Sequence, residues 1–128
     1  REVLNGVTVT RAAALGTLRS QPLSPRYLSL AGRTEADLLH LHEPNPLGEW
    51  AALAQRDRPC IVTWHSDVVR QRILGGLLRP LRNAVLRRAF RICVATPRHL
   101  ELESLKSFRD RCTVIPFGVD TMAMPSPL

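Results

Sequence analysis

The sequence predicts an α/β fold in which helices pack on both faces of a parallel sheet. Short β-branched runs alternate with helical patterns from position 38 onward, and the connections are long enough to link parallel strands. Three of these runs are almost continuously apolar, which is typical of strands covered on both faces. A chain of 128 residues, 45% of them hydrophobic, is large enough for one such domain.

Five runs are predicted as strands: VTVT (7–10), LLHL (38–41), CIVTW (60–64), ICVAT (92–96) and CTVIP (112–116). Each of the last three contains one cysteine. Because the cysteines form no C-x-x-C pair, we expect buried free thiols in a reducing compartment. The segment 11–36 is predicted to be a loop-rich connection with room for one short helix.

Three helices are predicted between these strands. The first covers 45–57, with Asn45 as the N-cap and a proline at the first helical position. The second is the arginine-rich middle segment, whose apolar residues recur at helical spacing; Pro80 should divide or kink it. The third covers 96–105 and has Thr96 as its cap.

The formal charge of +7 is concentrated in one segment. Seven arginines and no acidic residue lie between positions 68 and 91. Three interpretations stay open: a solvated helix whose arginine stems cover apolar surface, a basic helix on anionic lipid, and, as the weakest, a nucleic-acid surface. The residues predicted for this membrane or anion face are Arg70, Arg72, Arg79, Arg82, Arg87 and Arg88.

Polar or turn-forming residues lie at or just after the end of each of the last four predicted strands. They are His42, Glu43 and Asn45 after the first, His65, Ser66 and Asp67 after the second, Thr96 and Arg98 after the third, and Gly118 and Asp120 after the fourth. Ligands of parallel sheets bind beyond the carboxyl ends of the strands. The sequence therefore predicts a site at this edge of the sheet.

The stretch His65-Ser66-Asp67 contains the residue types of a hydrolase triad. Neighbours in an extended turn diverge, however, and cannot converge as a triad requires. Ser66 and Asp67 fit a helix cap at least as well. His40 and His42 share a strand face, but no fourth ligand completes a zinc site, so no metal is expected. We expect His40 to be a structural histidine.

Four motifs run through most of the chain in a fixed order: ADLLHLHEPNPLGEWAAL, PCIVTWHSDVVRQ, RRAFRICVATPRHLE and CTVIPFGVD. Together they resemble the N-terminal domain of family 4 glycosyltransferases, which are retaining, nucleotide-sugar-dependent enzymes with the GT-B fold of two facing Rossmann-like domains. The resemblance implies that residues 1–120 are part of the N-terminal, acceptor-side Rossmann-like domain. Residues 121–128 would then be a linker toward a second domain.

The resemblance also implies roles for single residues. His65 matches the histidine near the anomeric centre of the donor sugar, where the side chain contacts the sugar and the backbone carbonyl helps to stabilise an oxocarbenium-like transition state. The loop from His42 to Pro46 borders the interdomain cleft on the acceptor side, and Gly118 and Asp120 mark the hinge. The donor would be a nucleotide-diphosphate sugar, with no metal or other cofactor.

These expectations describe a fragment of a retaining glycosyltransferase that transfers a sugar to a glycan or lipid acceptor. We expect a bacterial, cytoplasmic protein, peripheral on the inner face of the membrane. The family's glycine-rich loop and C-terminal domain have no counterpart in this sequence, so the chain alone is expected to lack activity, and an exposed sheet edge favours self-association. The alternative is a non-catalytic basic module that binds anionic lipid or nucleic acid.

Overall fold

The computed structural model describes residues 1–18, 21–66 and 72–118, with the backbone alone at 18, 21 and 72–75. In chain order the elements are β1 (Glu2–Leu4), β2 (Val7–Val9), β3 (Gly16–Leu18), β4 (Gln21–Leu23), α1 (Pro25–Arg33), β5 (Leu39–Glu43), α2 (Pro46–Ala54), β6 (Cys60–Trp64), α3 (Arg72–Arg88), β7 (Arg91–Val94) and β8 (Cys112–Val114). Two 3₁₀ helices, Pro97–Glu101 and Lys106–Arg111, lie between β7 and β8.

Four strands form one parallel sheet in the order β5-β6-β7-β8. Each strand pairs with the next one along the chain, and α2 and α3 form the first two crossovers. The predicted class, an α/β fold with a parallel sheet flanked by helices, is confirmed. Strand β6 coincides with the predicted run 60–64, whereas β5 continues two residues past its predicted end.

The core of the molecule lies on one face of this sheet. Leu41, Val62 and Ile92 are neighbours across three strands, and they are 7%, 0% and 0% exposed. Side chains from the strands, from α3 and from the segment before β8 complete the same cluster: Trp64, Val85, Leu86, Val94, Leu105 and Phe108. Because side chains alternate along a strand, His40 and His42 lie on the other face, where both are exposed.

The N-terminal region forms two antiparallel hairpins, β1-β2 and β3-β4, where the sequence predicted one strand and a loop-rich connection. Asn5 and Gly6 join β1 to β2 with positive φ angles of 50° and 81°. A two-residue type I′ turn requires this combination. The predicted strand 7–10 is present as β2, but it pairs with β1 and not with the parallel sheet.

The predicted helices differ in outcome. Helix α2 begins as predicted, because the Asn45 side chain accepts a hydrogen bond of 3.0 Å from the Gly48 amide. Helix α3 continues through Pro80 as a single helix, so division into two helices is wrong. The predicted helix 96–105 is present only as a 3₁₀ helix, Pro97–Glu101, with Thr96 at its N-cap position. It ends early because Leu102 adopts an extended conformation.

We predict that Gly48→Ala lowers the free energy of unfolding by about 1–3 kcal/mol, the usual effect of overpacking. A Cβ at this buried position would meet the Leu41 side chain and would lie 2.6 Å from the Asn45 amide nitrogen. Urea unfolding followed by tryptophan fluorescence measures the change. The matched control is Gly76→Ala, at an exposed α3 position with open space. It should stabilise the protein by up to about 1 kcal/mol, and equal effects of the two substitutions would contradict the packing.

Candidate functional site

Strands β5 and β6 end side by side. Glu43 pairs with Trp64 in the parallel register, and the His65 amide donates a hydrogen bond of 3.1 Å to the Glu43 carbonyl. This bond extends the ladder one residue beyond β6. It therefore holds His65 beside the end of β5, and the polar residues that follow the two strands meet at one edge of the sheet.

Alternation along the two strands divides these residues between the faces of the sheet. His42 and His65 lie on the face away from the core, and both are exposed. Glu43 and Trp64 lie on the core face and are each 1% exposed. Residues that are adjacent in the sequence thus belong to two different environments.

On the exposed face, His40, His42 and His65 form a row that we call the histidine row. The Nδ1 atom of His42 lies 2.9 Å from Nε2 of His65, and the planes of the two rings are nearly parallel, with centroids 5.2 Å apart. The ring of His40 lies 4.5 Å from that of His42, and its Nε2 atom hydrogen-bonds to the Thr63 hydroxyl at 2.7 Å. The Phe117 ring stacks on that of His65, with centroids 5.7 Å apart.

On the core face, Glu43 and Glu49 form a buried pair of carboxyl groups. They are 1% and 3% exposed, and Glu43 also accepts a hydrogen bond of 2.8 Å from the Asn45 amide. Burial raises the pKa of both carboxyl groups, and the neighbouring Glu43 helps to raise the pKa of Glu49 to about 8. Glu49 therefore stays protonated at neutral pH and donates a hydrogen bond to the Glu43 carboxylate.

The arginine side chains of α3 whose positions are described divide into two groups. Arg79 and Arg87 are exposed to solvent. The Arg82 guanidinium lies 5.6 Å from the centre of the Trp64 ring. Its positive charge offsets part of the rise that burial causes in the pKa of Glu43 and Glu49. Arg70 lies outside the described residues, as does the side chain of Arg72.

Arg88 binds the end of helix α2. Its guanidinium donates to the carbonyls of Ala52 at 2.6 Å and Gln55 at 2.5 Å, and also to that of Arg58. Carbonyls at a helix C-terminus lack partners within the helix, and a cation there also interacts favourably with the helix dipole. Arg88 thus joins α3 to α2.

The remaining predicted site residues lie along the same sheet edge or outside the described residues. Ser66 is exposed directly after His65, Thr96 and Arg98 are exposed after β7, and Gly118 is exposed at the end of the segment 72–118. Asp67, Asp120 and the predicted linker 121–128 are not among the described residues.

A cavity of about 570 Å³ lies next to the end of β5. His42, Pro44, Asn45 and Leu47 line it together with residues of the N-terminal hairpin region and α1, which include Arg11 and Tyr27. Among the described residues, no group of three or more His, Cys, Asp or Glu side chains could hold a metal ion. In the same part of the chain, no helix is long and apolar enough to cross a membrane.

Comparison with known proteins identifies the family. A sequence model described as Glycosyltransferase Family 4 matches residues 1–122. The chain belongs to glycosyltransferase family 4. This family 4 chain is 36% identical over 95 residues to the D-rhamnosyltransferase WbpZ of Pseudomonas aeruginosa, over 73% of its own length and 25% of the relative's.

A second relative of the family 4 chain is the O-antigen chain mannosyltransferase C of Escherichia coli. The two are 32% identical over 90 residues, which are 69% of this chain and 24% of the relative. The family 4 chain thus spans about a quarter of the length of these two curated relatives. No solved structure matches it.

The buried carboxyl pair predicts how the stability of the family 4 chain depends on pH. Folding raises the pKa of Glu49 from 4.5 to about 8, so the folded state retains a proton that the unfolded state releases in this range. The stabilisation is complete below pH 4.5 and is lost as the pH rises to about 8. Between these two pH values, the free energy of unfolding of wild type should therefore fall by up to about 1.4 kcal/mol per pH unit relative to that of Glu49→Gln, whose side chain cannot ionise.

Urea unfolding at pH 5, 6.5 and 8 measures this difference. Glu101→Gln, at an exposed position of the first 3₁₀ helix, is the control and should follow wild type at all three values. If Glu49→Gln also follows wild type, the raised pKa is contradicted.

Arg88 and its neighbour Arg87 give a matched pair of substitutions. Methionine keeps much of the apolar stem but removes the guanidinium, so Arg88→Met would deprive three carbonyls of their donor. We expect a loss of about 2 kcal/mol or more in the free energy of unfolding. Arg87→Met, at an exposed position, should change it by less than about 0.5 kcal/mol. Equal shifts in thermal unfolding would contradict the assignment.

Proposed function

We propose that this chain is the acceptor-side part of a retaining glycosyltransferase. The enzyme transfers a sugar from a nucleotide-diphosphate sugar to a glycan or lipid acceptor. One observation carries the proposal: a family 4 chain presents an exposed histidine, His65, at the carboxyl end of β6, with His42 hydrogen-bonded to it. Ligands of parallel sheets bind at this edge.

The proposed chemistry concerns positive charge on the sugar ring. When the bond to the leaving diphosphate lengthens, the transition state resembles an oxocarbenium ion, and electron-rich groups fixed nearby stabilise it. His65 offers a ring nitrogen and a backbone carbonyl. Its amide is tied to the Glu43 carbonyl, so its backbone position is fixed before the donor binds, which is the preorganisation that such stabilisation needs.

The cavity beside His42 is proposed to receive the acceptor. Its volume of about 570 Å³ is in the range of small-molecule sites. Apolar side chains such as Pro44 and Leu47 and polar ones such as Tyr27 and Asn45 line it together. A carbohydrate has a similar mixture of apolar ring faces and hydroxyl groups, which supports a glycan as the acceptor class.

The nucleotide pocket is proposed to lie in other parts of the enzyme, since the chain matches only about a quarter of either relative. No metal has a role in it, because positive side chains and helix N-termini can stabilise a leaving diphosphate. The proposed location is the inner face of a membrane. The exposed charges of Arg79 and Arg87 support attraction to anionic lipid there.

The alternative of a non-catalytic basic module has less support. Of the four arginines of α3 whose side chains are described, Arg82 lies against Trp64 and Arg88 binds backbone carbonyls. Only two of the four therefore remain fully available to an anionic partner.

We predict that His65→Ala lowers kcat/KM at least about 100-fold in the intact enzyme, because it removes a contact to the transition state. Transfer is measured with a panel of nucleotide-diphosphate sugars and a membrane lipid extract as the acceptor, and NMR of the product gives the anomeric configuration. Glu103→Gln, at an exposed position away from the site, is the control and should match wild type.

Turnover of His65→Ala within about twofold of wild type would contradict the role of His65. A product with inverted configuration would contradict the retaining mechanism.

A further inference from the structure

We propose that His42 is a positioning residue for His65. The His42 imidazole engages Nε2 of His65 and leaves Nδ1 as the ring nitrogen with which His65 meets the donor sugar. The identity of that ligand rests on the proposed function, whereas the pairing of the two rings rests on their geometry alone.

The backbone brings the two histidines together. His42 is paired with Thr63 in the parallel register, and the His65 amide bonds to the carbonyl of Glu43, the residue after His42. Both side chains lie on the sheet face away from the core. Their nitrogens are 2.9 Å apart, their ring centroids 5.2 Å apart, and their ring planes differ by only 15°. The nitrogens therefore lie close to the line between the two centroids, and the rings meet edge to edge in nearly one plane. In this orientation the N–H of one ring points at the lone pair of the other, as a hydrogen bond requires.

Neighbouring side chains hold both rings in place. His40 packs against His42 on one side, and its own Nε2 atom is bonded to the Thr63 hydroxyl at 2.7 Å. Phe117 stacks on His65 with an angle of 17° between the planes. The His42 ring therefore lies between two imidazoles, and the His65 ring lies between an imidazole and a phenyl ring. Rotation of either ring would break the hydrogen bond and would also disturb the contact with its aromatic neighbour, His40 for His42 and Phe117 for His65.

The hydrogen bond to His42 also sets the tautomer of His65. A neutral imidazole has one N–H donor and one acceptor nitrogen. In the bond between His42 and His65, one nitrogen must donate and the other accept. If His42 donates, neutral His65 carries its proton on Nδ1; if His65 donates, its Nδ1 is an acceptor. In either case His42 determines what His65 offers to a sugar hydroxyl.

Positioning of a functional histidine through its second nitrogen is a general device. Partners of this kind fix the tautomer and orientation of metal-binding and catalytic histidines, and their loss typically costs 10- to 100-fold in affinity or activity. Here the partner is a second imidazole from the neighbouring strand, and exposed His65 depends on it for its orientation.

Two substitutions of His42 separate the hydrogen bond to His65 from the packing of an aromatic ring against His40. His42→Asn places an amide group at about the position of Nδ1, whereas His42→Phe keeps an aromatic ring but has no nitrogen. We expect His42→Phe to lower kcat of the intact enzyme roughly 10- to 100-fold. His42→Asn should restore kcat to within about threefold of wild type, because the bond to His65 is retained.

Nitrogen NMR of the wild-type protein tests the pairing directly, without any assay of transfer. The chemical shifts of the imidazole nitrogens show which of them carry protons. We expect complementary states at the shared bond, with one of His42 Nδ1 and His65 Nε2 protonated and the other not. We also expect the tautomer populations of His65 to change in His42→Phe and to persist in His42→Asn.

Two unprotonated nitrogens at this bond, or unchanged His65 tautomers in His42→Phe, would overturn the proposal. Equal losses of kcat in His42→Asn and His42→Phe would also overturn it. A failure of the proposed function alone is distinguishable, because His65→Ala would then leave transfer intact while the nitrogen shifts of wild type still showed the shared bond.

Discussion

The parallel pairing of β5 with β6 is the constraint on which the rest of this structure depends. In the observed register Leu41 lies beside Val62, and both enter the core. A slip of one residue would send every side chain of β5 to the other face of the sheet. The histidines would then replace Leu41 and Glu43 on the core face, so the register that builds the core also builds the site.

The end of β5 has a different character on each face of the sheet. On the core face, Glu43, Glu49 and Trp64 form a buried cluster beside the half-buried Arg82. Hydrophobic side chains of similar volume could fill such a site without burying carboxyl groups. On the other face, His42 and His65 are open to solvent. Departures from an ideal core of this kind are expected near functional sites. The buried cluster fixes the turn from β5 to α2, directly after His42, and Trp64 in this cluster directly precedes His65.

Local sequence signals predicted much of the fold and part of the site. Strand β6 and the Asn45 cap followed from patterns within a few residues, and chain order alone placed the ends of β5 and β6 at one edge. The Asn5-Gly6 turn is also locally encoded, since Asn-Gly between apolar runs indicates a hairpin, and the prediction of a single strand at 7–10 missed it. Contacts between distant segments, such as those of Arg88 with α2 or of Phe117 with His65, leave no local pattern.

The most direct test is a crystal structure of the intact enzyme with its nucleotide-diphosphate sugar bound. We expect the donor sugar at the carboxyl ends of β5 and β6, with a hydroxyl group within about 3.2 Å of Nδ1 of His65. The contradictory result is a sugar at the opposite edge of the sheet, in the cavity of about 630 Å³ lined by Arg56, Cys60 and Phe90. In that case the histidine row would have no contact with the donor.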